Sequence, residues 1–257
     1  GFSESGDYNR AKTKFTIGAQ DFDWSDDLFS RPIINDLIIY ELHIGDFSPD
    51  DDRYGLYNDV TVKIESGYFE DLGINAIELM PVNEFEGEYS WGYNPSFYMA
   101  PESAYGTPND FKNLINVAHE HGIAIILDVV FNHTWGSAPL FQLYQPLNNF
   151  EWEDHNFDLC PYFDAEESLW GYKLENWHQV GGREYRAWKY IVDALEVWVE
   201  DYHIDGFRFD YTPGIGWGGD SDGASFYANH LRDLDSGLLL IAEEDNYFQI
   251  NQTDFDS

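Results

Sequence analysis

Residues 206–212, Gly-Phe-Arg-Phe-Asp-Tyr-Thr, set one arginine and one aspartate two positions apart in an otherwise apolar run. Alternation along a strand turns Arg208 and Asp210 to one side and Phe207 and Phe209 to the other. A cation beside a carboxylate favours the ionised form, which a carboxylate nucleophile needs at neutral pH. A buried structural ion pair would look the same, so the heptapeptide alone leaves both readings open. Further polar residues follow other apolar runs: Asn132 and His133 after 124–131, and Glu243 with Glu244 after 238–242. Singly, each has an ordinary explanation as a satisfied histidine or a solvated strand end. Recurring in order at strand ends, they point to shared chemistry.

Strand-like and helix-like segments alternate around these residues. Leu37 to Phe47, Ala76 to Val82, Ala124 to Phe131, 206–211 and Leu238 to Ala242 are predicted strands. Thr107-Pro108 opens a predicted helix that sets Phe111, Leu114, Ile115 and Ala118 on one face and stops at Gly122. Thr61 to Leu72, Arg183 to Tyr202 and Gly223 to Leu234 are the other predicted helices, Trp188, Ile191, Leu195, Trp198 and Tyr202 lining one face of the second. The run 124–131 is almost wholly apolar, as a strand covered on both faces must be. This repetition predicts a parallel sheet. Its polar residues fall at strand C-terminal ends, favouring an incomplete (β/α)8 TIM barrel of about five βα units over a doubly wound sheet. Residues 1–36 are aperiodic and read as a linker or the tail of an upstream domain. Residues 37–133 and 183–257 form the N-terminal part of the barrel, and 134–182 an inserted subdomain after the third strand.

Composition narrows the partners. Thirteen basic against 48 acidic residues leave a net charge of -35, which repels nucleic-acid phosphates and anionic lipid but not a neutral ligand. No apolar stretch is long enough to span a membrane. The single Cys160 excludes an internal disulfide.

The segments Asp128-Val-Val-Phe-Asn-His133, Gly206-Phe-Arg-Phe-Asp210 and Leu239-Leu-Ile-Ala-Glu243 resemble, in order, three of the four short motifs of the α-amylase superfamily, glycoside hydrolase family 13. Tyr40-Glu-Leu-His43 and Trp91-Gly-Tyr-Asn-Pro95 are similar to segments of its debranching and branching members. The resemblance implies that Asp210 is a nucleophile kept ionised by Arg208, and that Glu243, not Glu244, is the general acid and base. It implies that His133 hydrogen-bonds the sugar, Tyr93 stacks beneath it, and Asp128 supports Arg208. The implied activity is retaining hydrolysis of α-1,4 or α-1,6 bonds in a starch- or glycogen-like α-glucan. Branching transglycosylation, or a catalytically silent carbohydrate-binding module, are the alternatives.

The family's fourth motif, a His-Asp pair, has no counterpart: after Glu243 stand only Asp245, Asp254 and Asp256. Gly214 and Pro213 occupy positions that carry histidine and lysine in many calcium-dependent amylases, so although Asn132 keeps a calcium-ligand position, no metal or cofactor requirement is expected. Starting at Gly1 with five predicted strands, the chain is expected to be part of a longer enzyme, with a carbohydrate-binding domain upstream and the rest of the barrel downstream. Aromatics between 134 and 182 (Trp152, Trp170, Trp177, Tyr162, Tyr172) suit sugar stacking or a packed core equally.

Overall fold

The structure, a computed structural model, describes residues 21–25, 28–48, 52–87, 89–144, 157, 159–168, 170–218, 222–244, 255 and 256. The first strand, β1 (Ile39–Leu42), leads to α1 (Tyr57–Glu65), the short α2 (Tyr68–Asp71) and β2 (Ala76–Leu79). A hairpin of β3 (Asn83–Phe85) and β4 (Pro95–Pro101) precedes α3 (Pro108–Glu120) and β5 (Ala124–Val129). Then come β6 (His133–Thr134), α4 (Pro139–Gln142), β7 (Phe163–Glu167), β8 (Tyr172–Leu174), β9 (Gln179–Val180) and β10 (Arg183–Glu184). The chain returns through α5 (Ala187–Glu200), β11 (Gly206–Phe209), α6 (Thr212–Ile215), α7 (Gly223–Leu234) and β12 (Leu239–Ala242).

Five strands form one parallel sheet in the order β1-β2-β5-β11-β12. Strand order follows chain order with no reversal, whereas a doubly wound sheet reverses at a switch point. Helices cover one face, where Ile77, Leu79, Leu127, Val129, Phe207 and Phe209 pack. The opposite face carries Ala76, Ala124, Ile126 and Leu239, plugged at one end by Phe29, Ile34 and Leu37. Alternation places Asp128, Arg208 and Glu243 on that inner face. Every residue of β5 is buried, as its apolar run demands.

Local chemistry explains the helix ends. Thr107 and Asp110 close a capping box on α3, which buries Phe111, Leu114, Ile115 and Ala118. On α5, Trp198 is wholly buried and its indole donates to the Tyr98 carbonyl at 2.8 Å. The helix predicted over 61–72 is instead two, broken at Gly67, whose φ is +75°. The first strand stops at Leu42, because the His43 side chain caps a 3-10 turn over Ile44–Asp46. Helix α5 begins at Ala187, not Arg183, since Arg183 and Glu184 pair antiparallel with β9. Residues 134–182, aperiodic in sequence, include the small antiparallel sheet β6-β8-β7. Residues 1–20 lie outside the described residues.

Phe29, Arg31 and Ile34 lie against the end of the sheet at which the strands start. Buried Asp205, just before β11, accepts from Arg31 Nε, His119 Nε2 and the Ile125 amide, each at 2.8 Å. Phe29 stacks on the His119 ring at 4.1 Å. Asp205→Ala would leave three donors without their acceptor, so unfolding free energy should fall by about 3 kcal/mol. Urea denaturation of the purified protein reads this; a change near zero would mean water replaces the carboxylate.

Candidate active site

The parallel ladder sets Arg208 of β11 opposite Asp128 of β5. It sets Phe209 opposite Ala242 of β12, so the next residues, Asp210 and Glu243, emerge side by side. One guanidinium joins all three acids. Arg208 Nη1 lies 2.8 Å from Asp128 Oδ2 and 3.2 Å from Asp210 Oδ1, and Nη2 lies 3.0 Å from Glu243 Oε1. Glu243 Oε2 also accepts from the Tyr211 amide at 2.8 Å. Tyr211 has φ +41°, a left-handed conformation that is uncommon for an aromatic residue. Glu244 points elsewhere and accepts from the Trp217 indole at 2.9 Å.

Burial sets the electrostatics here. It raises the Asp210 carboxyl above its ordinary value, opposed by the Asn132 hydrogen bond and by Arg208, and assisted by Glu243. Arg208 thus favours the ionised form of Asp210, as expected, while desolvation acts against it more strongly. Burial likewise pushes Asp128 up to about 7 against the pull of Arg208 and Tyr93. For Arg208, burial pulls down, but Asp128 and Glu243 outweigh it and hold the cation charged.

Tyr93 is half-buried beside this cluster, its hydroxyl donating to Asp128 Oδ2 at 2.8 Å. Asn132 Nδ2 donates to the Asp210 carbonyl at 3.1 Å and to Oδ2 at 3.0 Å. His133 is only 2% exposed. Its Nδ1 faces Asn132 Oδ1 and its Nε2 lies 2.9 Å from the Tyr93 carbonyl. Burial lowers its pKa. In this arrangement His133 turns both ring nitrogens to protein oxygens. It positions its neighbours.

A calcium ion does not fit at Asn132. The amide oxygen faces His133, and Lys173, a cation, lines the same cavity of about 290 Å3. Among the described residues no three His, Cys, Asp or Glu side chains gather as metal ligands. Asp256 lies away from the site, along the outer edge of β12, where its Oδ2 accepts from the Leu240 amide and its own amide donates to the Leu240 carbonyl, each at 2.8 Å. Asp245 and Asp254, and Trp152 of the aromatic group, lie outside the described residues. Tyr162 and Tyr172 pack on the core, whereas Trp170 and Trp177 are 49% and 38% exposed.

Comparison with known proteins decides the family. The sequence profile of the α-amylase catalytic domain matches residues 46–190. The malto-oligosyltrehalose trehalohydrolase of Saccharolobus solfataricus is 37% identical over 200 residues, 77% of this chain and 31% of that protein. The chain belongs to the α-amylase family. A 1,4-alpha-glucan branching enzyme of Picrophilus torridus is 32% identical across 78% of this chain and 26% of its own length. Among solved structures, the type I pullulanase of Bacillus subtilis in complex with maltose superposes with a TM-score of 0.64 at 28% identity, covering 87% of this chain and 33% of that one. The chain thus spans about a third of the length of the relatives it matches. Family membership and the observed sheet together make it a partial (β/α)8 barrel of the amylase kind.

Two features of this amylase-family site escaped the sequence reading. Trp170 meets Tyr211 edge-on at 4.9 Å, forming a wall beside Asp210. Gly214 makes room for it, since a Cβ there would sit 2.5 Å from the Tyr211 ring. Tyr211 directly follows Asp210, yet nothing in its type announced a left-handed turn. Arg208 offers a direct test of the electrostatics. Arg208→Lys retains one charge but loses the fork that reaches Asp210 and Glu243 at once. Because the cation lowers the Asp210 pKa, weakening it raises that pKa, and the acid limb of the activity profile should move to higher pH. An unmoved limb would remove Arg208 from the account of Asp210 ionisation.

Proposed function

We propose that these residues belong to a retaining α-glucan glycoside hydrolase that cleaves α-1,4 or α-1,6 glucosidic bonds of starch- or glycogen-like chains. The observation that carries this reading is one guanidinium held by two carboxylates at the ends of adjacent strands. Retaining chemistry needs an acid and a nucleophile roughly 5 Å apart across the sugar, a separation that residues bridged by one arginine can adopt. In the first step an Asp210 oxygen attacks the anomeric carbon while Glu243 gives its proton to the departing glycosidic oxygen. In the second, the Glu243 carboxylate takes a proton from water, the hydroxide attacks the anomeric carbon, and the ester bond to Asp210 breaks. Tyr93 would lie beneath the reacting sugar. Arg208 and Asp128 would hold Asp210 in position. No metal or cofactor enters these steps.

Similarity to a branching enzyme supports a second outcome at the same residues, in which a glucan hydroxyl replaces water as acceptor. Hydrolysis releases new reducing ends from amylose; branching changes iodine staining without releasing them. Glucan binding with neither change would favour a silent module. The strands β1 and β12 each pair on one side only within the described sheet. An unclosed barrel leaves such edges bare. We therefore expect residues 1–257 alone to show no amylolysis, and read 134–182 as an inserted subdomain after the third strand. Reducing-end release by the purified 257-residue chain would contradict the first expectation.

A further inference from the structure

Outside the catalytic cluster, Tyr54 and the segment 89–91 carry a second group of rings that the reaction does not use. Tyr54, Tyr89 and Trp91 are 53%, 40% and 59% exposed. Exposed rings scattered singly need no explanation, but these adjoin one another. Tyr54 and Tyr89 stack with centroids 4.4 Å apart and planes 23° from parallel. The Tyr89 hydroxyl donates to Asp46 Oδ1 at 2.7 Å.

The rings are also fixed from below. His43 Nε2 lies 2.9 Å from the Ser90 carbonyl, and its ring meets Tyr89 edge-on at 5.8 Å. On the other side, Arg53 makes a two-pronged contact with Asp59 at 2.6 and 2.7 Å. Gly55 sits so close to the chain that a Cβ would fall 1.9 Å from the Ile44 carbonyl. Both halves of the surface are therefore held in place before any ligand arrives, which lowers the ordering cost of binding.

Its position ties it to the catalytic residues. Trp91 is two residues from Tyr93, whose hydroxyl reaches Asp128 and through it the Arg208 cluster. Gly92 between them is pressed on Pro81, where a Cβ would meet the carbonyl at 2.2 Å. Trp91 and Tyr89 thus share one short segment with Tyr93, which contacts the Arg208 cluster through Asp128. A net charge of -35, with Asp46 within the patch itself, disfavours an anionic ligand. A glucopyranose ring is neutral and offers an apolar face for aromatic stacking and hydroxyls for the polar rim.

We propose that Tyr54, Tyr89 and Trp91 form a distal platform for a neutral α-glucan chain whose cleaved bond lies at Asp210 and Glu243. The proposal rests on the glycosidase reading above and adds to it a second point of attachment, which favours long substrates over short ones. The test uses the full-length protein carrying Asp210→Asn, so that ligand is bound without turnover, and calorimetry with maltose and maltoheptaose. Trp91→Ala and Tyr54→Ala should each weaken maltoheptaose at least tenfold and maltose less than twofold. Trp91→Phe, which keeps a stacking ring, should recover most of the loss. Unchanged maltoheptaose affinity in both alanine variants, or equal losses for both sugars, would overturn the platform while leaving the glycosidase reading intact. Failure of the unsubstituted platform to bind either sugar would overturn both.

Discussion

Asp210→Asn is expected to lower kcat on amylose by about 10^4-fold or more, the scale on which removal of a covalent nucleophile falls. Asparagine preserves the shape of the site. Its amide oxygen can still accept from Asn132, now 3.0 Å from Asp210 Oδ2. Arg208 retains Asp128 and Glu243 as partners. What disappears is the oxygen that bonds to the anomeric carbon, so binding should persist while turnover does not. Steady-state kinetics with a thermal-unfolding control separates the two. A loss of less than tenfold with the fold intact would remove Asp210 from the reaction.

Glu243→Gln is the second large effect. Glutamine can neither protonate the leaving oxygen nor activate water, and general acid–base assistance contributes about 10^2- to 10^4-fold. The loss should depend on the leaving group. An α-maltosyl fluoride needs no proton to depart, so formation of the maltosyl-enzyme should recover. Azide needs no base, so adding it should restore turnover and give the glycosyl azide. Glu244→Gln, altered at a carboxylate that faces Trp217, should behave nearly as the unsubstituted enzyme. Equal losses at 243 and 244, or no response to azide, would contradict the assignment.

Much of the framework could be read from periodicity, because strands covered on both faces and amphipathic helices obey strong local rules. The apolar run 124–131 and the Thr107-Pro108 helix start are examples: β5 is buried throughout and α3 carries the expected capping box. Alternation alone placed Arg208 beside Asp210 and turned Glu243 away from Glu244, as the contacts show. Features set by tertiary contact were not legible. The hairpin β3–β4 depends on Glu102 and Glu84 carboxylates that accept backbone amides from Phe85 and Ser103. Burial of Glu102, with Glu84 nearby, pushes its carboxyl up to about 8. No periodicity signals such a pair. The contacts of His133 were not legible for a related reason: residue type announces a hydrogen-bonding ring, but only packing shows that both nitrogens face protein oxygens. The dominance of burial over Arg208 at Asp210 likewise comes from enclosure, which a sequence does not display.

The most direct measurement is to trap the covalent intermediate. The full-length enzyme would be incubated with a fluorine-substituted α-glucosyl fluoride that forms the ester quickly and hydrolyses it slowly, then digested and mapped by mass spectrometry. The account requires one glucosyl adduct, on the peptide that contains Asp210, and products that keep the α configuration. An adduct on another carboxylate, or products of inverted configuration, would contradict it.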